Sequence, residues 1–127
     1  MPKSQPIVAI VDDEVSMLRA LRRLLRSAGY TAATYTSAEE FLRSGVQQRI
    51  GCLVLDIQMP RMTGLELLAY LAASEVMLPI IVLSGLDDEQ TRLRAAQAGV
   101  VAYLRKPVEE EALLEAIQRA LASGSRN

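Results

Sequence analysis

The sequence predicts an α/β fold: a doubly wound parallel sheet of five strands with five helices packed on its two faces. Three observations lead there. Apolar runs of strand length recur along the chain, at Ile7–Val11, Cys52–Asp56 and Ile80–Ser84, and they are apolar throughout rather than alternating, as strands buried on both faces are. Segments with helical spacing separate them. Each run also ends in polar residues, which right-handed crossovers would gather on one edge of the sheet.

The first strand, Ile7–Val11, is β-branched and apolar, bounded by Pro6 and by Asp12-Asp13-Glu14. From Val15 the period becomes helical, with Leu18, Leu21, Leu25 and Ala28 expected inward and Arg19, Arg22, Arg23 and Arg26 outward, until Gly29 stops the helix. Thr31–Tyr35 is the second strand. Ser37 is read as an N-cap with Glu40 at the capping-box spacing, opening a short helix to about Ser44. A loop over 45–51 leads to the third strand, which delivers Asp56. Thr63-Gly64 opens a helix carrying Leu65, Leu68 and Leu71, and Pro79 introduces the fourth strand, which ends at Ser84. An alanine-rich helix over 89–98, closed by Gly99, precedes a fifth strand expected over 100–104 and then Arg105-Lys106-Pro107. The last helix is expected from about Glu109, with Leu113, Leu114, Ile117 and Leu121 inward and three Glu residues in its first turn, where the helix dipole favours them.

The 127 residues are read as a single domain with its core over 7–122; 123–127 is expected to be a tail or the start of a linker. Fourteen basic and fifteen acidic residues leave a net charge of −1. That balance supplies no bulk attraction for phosphate backbones, so no direct nucleic-acid binding is expected. No stretch approaches the length of a membrane span. The lone Cys52 lies within an apolar strand, where a small core residue is expected, and a cytoplasmic location follows. Histidine is absent, which removes His bases, His metal ligands and phosphohistidine.

The expected edge brings together Asp12 and Asp13 after the first strand, Asp56 after the third, Ser84 after the fourth and Lys106 after the fifth. Three carboxylates in one cleft repel one another unless a cation lies between them. A hard, oxygen-seeking ion such as Mg²⁺ suits an all-carboxylate set, and it retains coordination places for a phosphate oxygen. Lys106 adds positive charge, Ser84 a hydroxyl donor, and Asp56 becomes the natural nucleophile for an aspartyl-phosphate. Singly, each residue has a plainer reading: Asp12-Asp13 as helix caps, Ser84 and Asp56 as turn formers, Lys106 as a solvated side chain. Their convergence from different strands favours the joint reading.

These residues resemble the receiver domain of bacterial two-component response regulators. The similarity runs from about Ile7 to Ala122 and rests on Asp12-Asp13, Asp56-Ile57-Gln58-Met59-Pro60 with Gly64, Ser84-Gly85, Tyr103 and Lys106-Pro107. Ser37-Ala38-Glu39-Glu40-Phe41-Leu42 and Gly51-Cys52-Leu53-Val54-Leu55-Asp56 look most similar to the FixJ-type branch, whose members usually carry a DNA-binding domain after the receiver. The resemblance implies a flavodoxin-like sheet in the order 2-1-3-4-5. It also implies Mg²⁺, with Mn²⁺ as a possible substitute, held by Asp13 and Asp56 directly, by Asp12 through water and by the backbone carbonyl of Gln58. Asp56 would be the phospho-acceptor, Lys106 and Ser84 its catalytic partners, Ser84 and Tyr103 a switch pair, and the Lys106-Pro107 bond cis. Gln58 and Leu86 occupy positions that govern access to the phosphate, and the apolar Leu86 is expected to restrict water there.

The implied partners are a histidine kinase or phosphotransfer protein, docking near Ser16, Met17 and Arg19, and a second copy of the chain joined on phosphorylation through the 89–122 face. The arginine stripe of the first helix is expected to be a solvated face. The chain would be a signalling switch, not an enzyme, catalysing only its own phosphotransfer and autodephosphorylation, with transcription or a partner protein as output. Two alternatives stand beside it: a small Mg²⁺-dependent phosphohydrolase with an Asp nucleophile, and a degenerate receiver acting as an interaction module. The first would place a second Asp at position 58, where Gln stands; the second would be expected to have lost an acid or the lysine.

Overall fold

In the computed structural model, which describes residues 6–46, 49–74, 77–85 and 88–124, the apolar runs pair as parallel strands in the order β2-β1-β3-β4-β5. The strands are β1 (Ile7–Val11), β2 (Thr31–Tyr35), β3 (Cys52–Asp56), β4 (Ile80–Ser84) and β5 (Ala102–Arg105). The helices are α1 (Val15–Ser27), α2 (Ala38–Ser44), α3 (Gly64–Ala73), α4 (Glu89–Gln97) and α5 (Glu110–Gly124). Central strands β3 and β4 are buried along their whole length, whereas edge strands β2 and β5 are largely half-buried.

Successive side chains of each strand point to opposite faces, and this alternation builds two cores. Ala9, Val11, Leu53, Leu55, Ile80 and Val82 pack with Phe41 of α2, Leu67, Leu68 and Leu71 of α3, and Ala95 of α4. Val8, Ile10, Val54, Ile81 and Leu83 pack with Leu18, Leu21 and Leu25 of α1 and Leu113, Ala116 and Ile117 of α5. Cys52 belongs to the second core and is fully buried. Desolvation pushes its thiol up to about 12, which makes it an inert core residue.

Several sequence expectations need correction. Ala28 is exposed, because it is the C-cap residue of α1 and the chain is already leaving the helix. There Gly29 adopts φ +93° while its N–H donates to the Arg26 carbonyl and that of Tyr30 to the Leu25 carbonyl, a Schellman closure that glycine permits. The Ser37 capping box is half formed: Ser37 Oγ accepts from the Glu40 N–H, but the Glu40 carboxylate bonds Thr36 instead. β5 starts at Ala102, not at 100, because the Val100 N–H is taken by the Ala95 carbonyl in closing α4. Leu114 and Leu121 are only half-buried, with Ala116 and Ala120 filling the close contacts of α5. α5 runs to Gly124, and residues 125–127 of the expected tail or linker lie outside the described residues. Leu86 also lies outside the described residues.

Candidate functional site

Hydrogen bonds that continue past the strand ends fix the backbone of the edge residues. The Asp12 N–H donates to the Tyr35 carbonyl at 3.1 Å, that of Ile57 to Leu83 at 3.0 Å, and that of Lys106 to Ser84 at 2.8 Å. Asp12, Asp56 and Lys106 are therefore held by the sheet itself. The Lys106-Pro107 peptide bond is cis.

The loop after β3 is anchored by its own apolar residues, Ile57 and Met59, both buried. It folds back closely enough for the Gly64 N–H to donate to the Ile57 carbonyl at 3.0 Å. A Cβ at Gly64 would lie 2.6 Å from both the Asp56 carbonyl oxygen and the Ile57 Cα, so only glycine fits against the back of the acid. Thr63 and Glu66 complete a full capping box at the start of α3, and the Glu39 carboxylate of α2 accepts from the Met62 N–H at 3.4 Å. Sequence reading missed both. The Thr-x-x-Glu spacing of the first was legible, but nothing local signals a bond between residues as far apart as Glu39 and Met62.

Asp56 is 2% exposed and Asp12 fully buried, while Asp13 is exposed. Lys106 Nζ stands 3.3 Å from Asp56 Oδ1 and 3.4 Å from Asp12 Oδ2. Asp12 Oδ1 accepts the Glu14 N–H at 2.9 Å, and Asp56 Oδ1 accepts the Gln58 N–H at 3.2 Å. Burial raises the Asp56 pKa to about 6 and the neighbouring Asp12 charge adds to the effect, against the opposing pull of Lys106. Burial disfavours the charge on Lys106, yet Asp56 and Asp12 outweigh it and hold its pKa above the ordinary lysine value.

Asp12, Asp13 and Asp56 offer carboxylate oxygens that all lie within 4.8 Å of one another. Two buried acids and a third beside them exceed what one lysine can neutralise, and the all-oxygen donor set fits a hard divalent cation. Ser84 is fully buried at the end of β4. Tyr103 of β5 is opposite Val82 and Ser84 opposite Arg105, which puts Ser84 and Tyr103 on the same face of the sheet. The half-buried Tyr103 ring carries Arg92 of α4 over it, the guanidinium 5.1 Å from the ring centroid. Gln58 is exposed beside Asp56, and its side-chain oxygen accepts the Gly85 N–H at 2.9 Å. On α1, Ser16 and Arg19 are exposed and Met17 half-buried, and Arg22, Arg23 and Arg26 continue the exposed arginine stripe. No helix among the described residues is long and apolar enough to cross a membrane.

Residues 8–118 match the family model of the response regulator receiver domain. The response regulator protein TmoT of Ectopseudomonas mendocina is 40% identical over 121 residues, covering 95% of this chain and 55% of that protein. The transcriptional regulatory protein FixJ of Rhizobium meliloti is 39% identical over 113 residues, covering 89% of this chain and 55% of that protein. Among solved structures, that of response regulator StyR superimposes with a TM-score of 0.90 at 41% identity, covering 96% of this chain and 62% of that one. The chain thus spans about half the length of the curated relatives it matches.

Proposed function

The chain belongs to the response regulator receiver domain family of two-component signalling, and on that premise we propose that it accepts a phosphoryl group onto Asp56 from a phosphohistidine donor. The donor is a histidine kinase or a phosphotransfer protein. The observation that carries this reading is the buried Asp56 carboxylate with Lys106 Nζ 3.3 Å away and two further acids beside it. An acid held this way is desolvated and oriented, as a nucleophile needs to be.

Among the described residues, the Gln58 N–H and Lys106 Nζ both contact the Asp56 carboxylate at Oδ1, which favours Oδ2 as the attacking oxygen. A bond forms from Oδ2 to phosphorus while the bond from phosphorus to the donor imidazole nitrogen breaks; that nitrogen keeps the electron pair, and the donor ring, protonated on its other nitrogen, leaves as a neutral imidazole. Lys106 offsets the charge of the transferring oxygens, and the Ser84 hydroxyl donates to one of them. Asp12, Asp13 and Asp56, with the Gln58 carbonyl, would hold Mg²⁺ or Mn²⁺, which when bound supplies positive charge to the phosphoryl oxygens. Hydrolysis of the acyl phosphate on the same residues resets the switch.

Phosphorylation replaces the single charge of the Asp56 carboxylate with the nearly two charges of a phosphoryl group at the edge. The Ser84 hydroxyl turning toward them makes room for the Tyr103 ring, and the movement alters α4 and the 89–122 face, through which two copies associate. The output is transcription through a DNA-binding domain outside this chain, or a partner protein, in the cytoplasm. The test is transfer of labelled phosphate from a purified phosphohistidine protein to this chain: label should appear on the wild type and not on Asp56→Asn. Equal labelling of both would refute the reading.

A further inference from the structure

Gln58 touches both sides of the cleft. Its N–H donates to Asp56 Oδ1 at 3.2 Å, while its side-chain Oε1 accepts the Gly85 N–H at 2.9 Å. β3 and β4 are neighbours in the sheet, with Asp56 opposite Leu83, so the Gln58 side chain crosses the gap between their carboxyl ends and joins the phospho-acceptor loop to the residue after Ser84. Residue 85 is matched to this contact, since a Cβ there would lie 2.8 Å from Gln58 Oε1.

Building on the phospho-acceptor reading of Asp56, we propose that Gln58 is a positioning residue that latches the Gly85 N–H in the resting state and surrenders it to the phosphoryl group. Phosphoryl oxygens carry formal charge and are stronger acceptors than a neutral amide carbonyl. An acyl phosphate on Asp56 therefore outcompetes Gln58 Oε1 for the N–H adjoining Ser84. The cross-link between the ends of β3 and β4 opens as the phosphoryl group is taken up, coupling the chemistry at Asp56 to the start of the segment leading to α4. The latch also slows the uptake, because the donor it holds is one the incoming group requires.

The experiment compares wild type with Gln58→Met, which keeps the length but removes the acceptor, with Gln58→Ala, with Gly85→Ala and with the double variant Gln58→Ala/Gly85→Ala. Two quantities are read: hydrogen exchange of the residue-85 amide in resting and phosphorylated protein, and the rate of acyl-phosphate formation from acetyl phosphate and Mg²⁺, followed by intact mass. Both single substitutions at Gln58 should speed resting exchange and acyl-phosphate formation by roughly threefold to tenfold, the factor one net hydrogen bond sets. Gly85→Ala should do the same by displacing Gln58, and should add nothing in the double variant. In the phosphorylated wild type the amide should stay protected. Wild-type exchange and rate in Gln58→Met, with a normal adduct on Asp56, would overturn the latch and leave the reading of Asp56 intact; no adduct on any chain would overturn both.

Discussion

Lys106 Nζ stands 3.3 Å from Asp56 Oδ1, at the junction of two strands that are not neighbours in the sheet. β4 lies between them, so the contact depends on the lysine side chain reaching back across the edge. It partners two buried acids at once, since Asp12 Oδ2 is 3.4 Å from the same nitrogen.

Replacing Lys106 with Met leaves Asp12 and Asp56 facing each other without their counter-charge. The expected cost in metal-free protein is about 1–2 kcal/mol at alkaline pH, below the value for a fully buried pair because the lysine is partly solvated. At pH 5 the cost should shrink, because Asp56, with its pKa near 6, is then mostly protonated. Urea unfolding at the two pH values checks this.

The raised pKa of Asp56 sets a sign for stability against pH. An acid whose pKa is about 6 when folded and near 3.8 when unfolded binds more protons in the folded state between those values, so stability falls as pH rises through that window. At about 1.4 kcal/mol per pH unit the full loss is on the order of 3 kcal/mol. Asp56→Asn should therefore stabilise metal-free protein at pH 8 and leave it little changed at pH 4. Thermal unfolding in the presence of a chelator reads the difference.

Mg²⁺ should raise the melting temperature of the wild type at pH 8, because a ligand that binds only the folded chain stabilises it. The gain should fall sharply in Asp13→Asn and in Asp56→Asn. It should persist in Ser84→Ala, which removes no carboxylate.

Gly64→Ala should be severe, since the new Cβ meets backbone at 2.6 Å on two sides. A destabilisation of about 2–3 kcal/mol is expected from the forced shift, together with slower phosphorylation because the displaced backbone is that of Asp56 and Ile57. Gly45→Ala is the control: its φ is +67° and its Cβ would meet nothing within 4 Å, so about 1 kcal/mol of backbone strain is all that is expected. Chemical denaturation of both variants separates steric clash from strain.

The sheet was readable because fully buried parallel strands are written as continuous apolar runs, and Asp12, Asp56 and Ser84 were readable because each stands where such a run ends. Lys106 followed from the same rule although β5 itself was misplaced. Val100 and Val101 look like strand residues, but the Val100 N–H is spent on the helix closure at Ala95, a competition that β-propensity does not register. The bonds from Glu39 to Met62 and from Gln58 to Gly85 span 23 and 27 residues. They depend on how loops settle after the sheet has formed, and no local pattern encodes that distance. The depth of burial also escaped the sequence: Asp12 and Asp13 are adjacent acids whose carboxylates reach the same cluster, yet one is enclosed and the other exposed.

Intact mass spectrometry after incubation with Mg²⁺ and acetyl phosphate tests the proposal that Asp56 is the phospho-acceptor. The wild type should gain the mass of one phosphoryl group, and Asp56→Asn should gain none while remaining folded. A phosphoryl adduct retained in Asp56→Asn, or steady hydrolysis of acetyl phosphate with no adduct on the wild type, would contradict it.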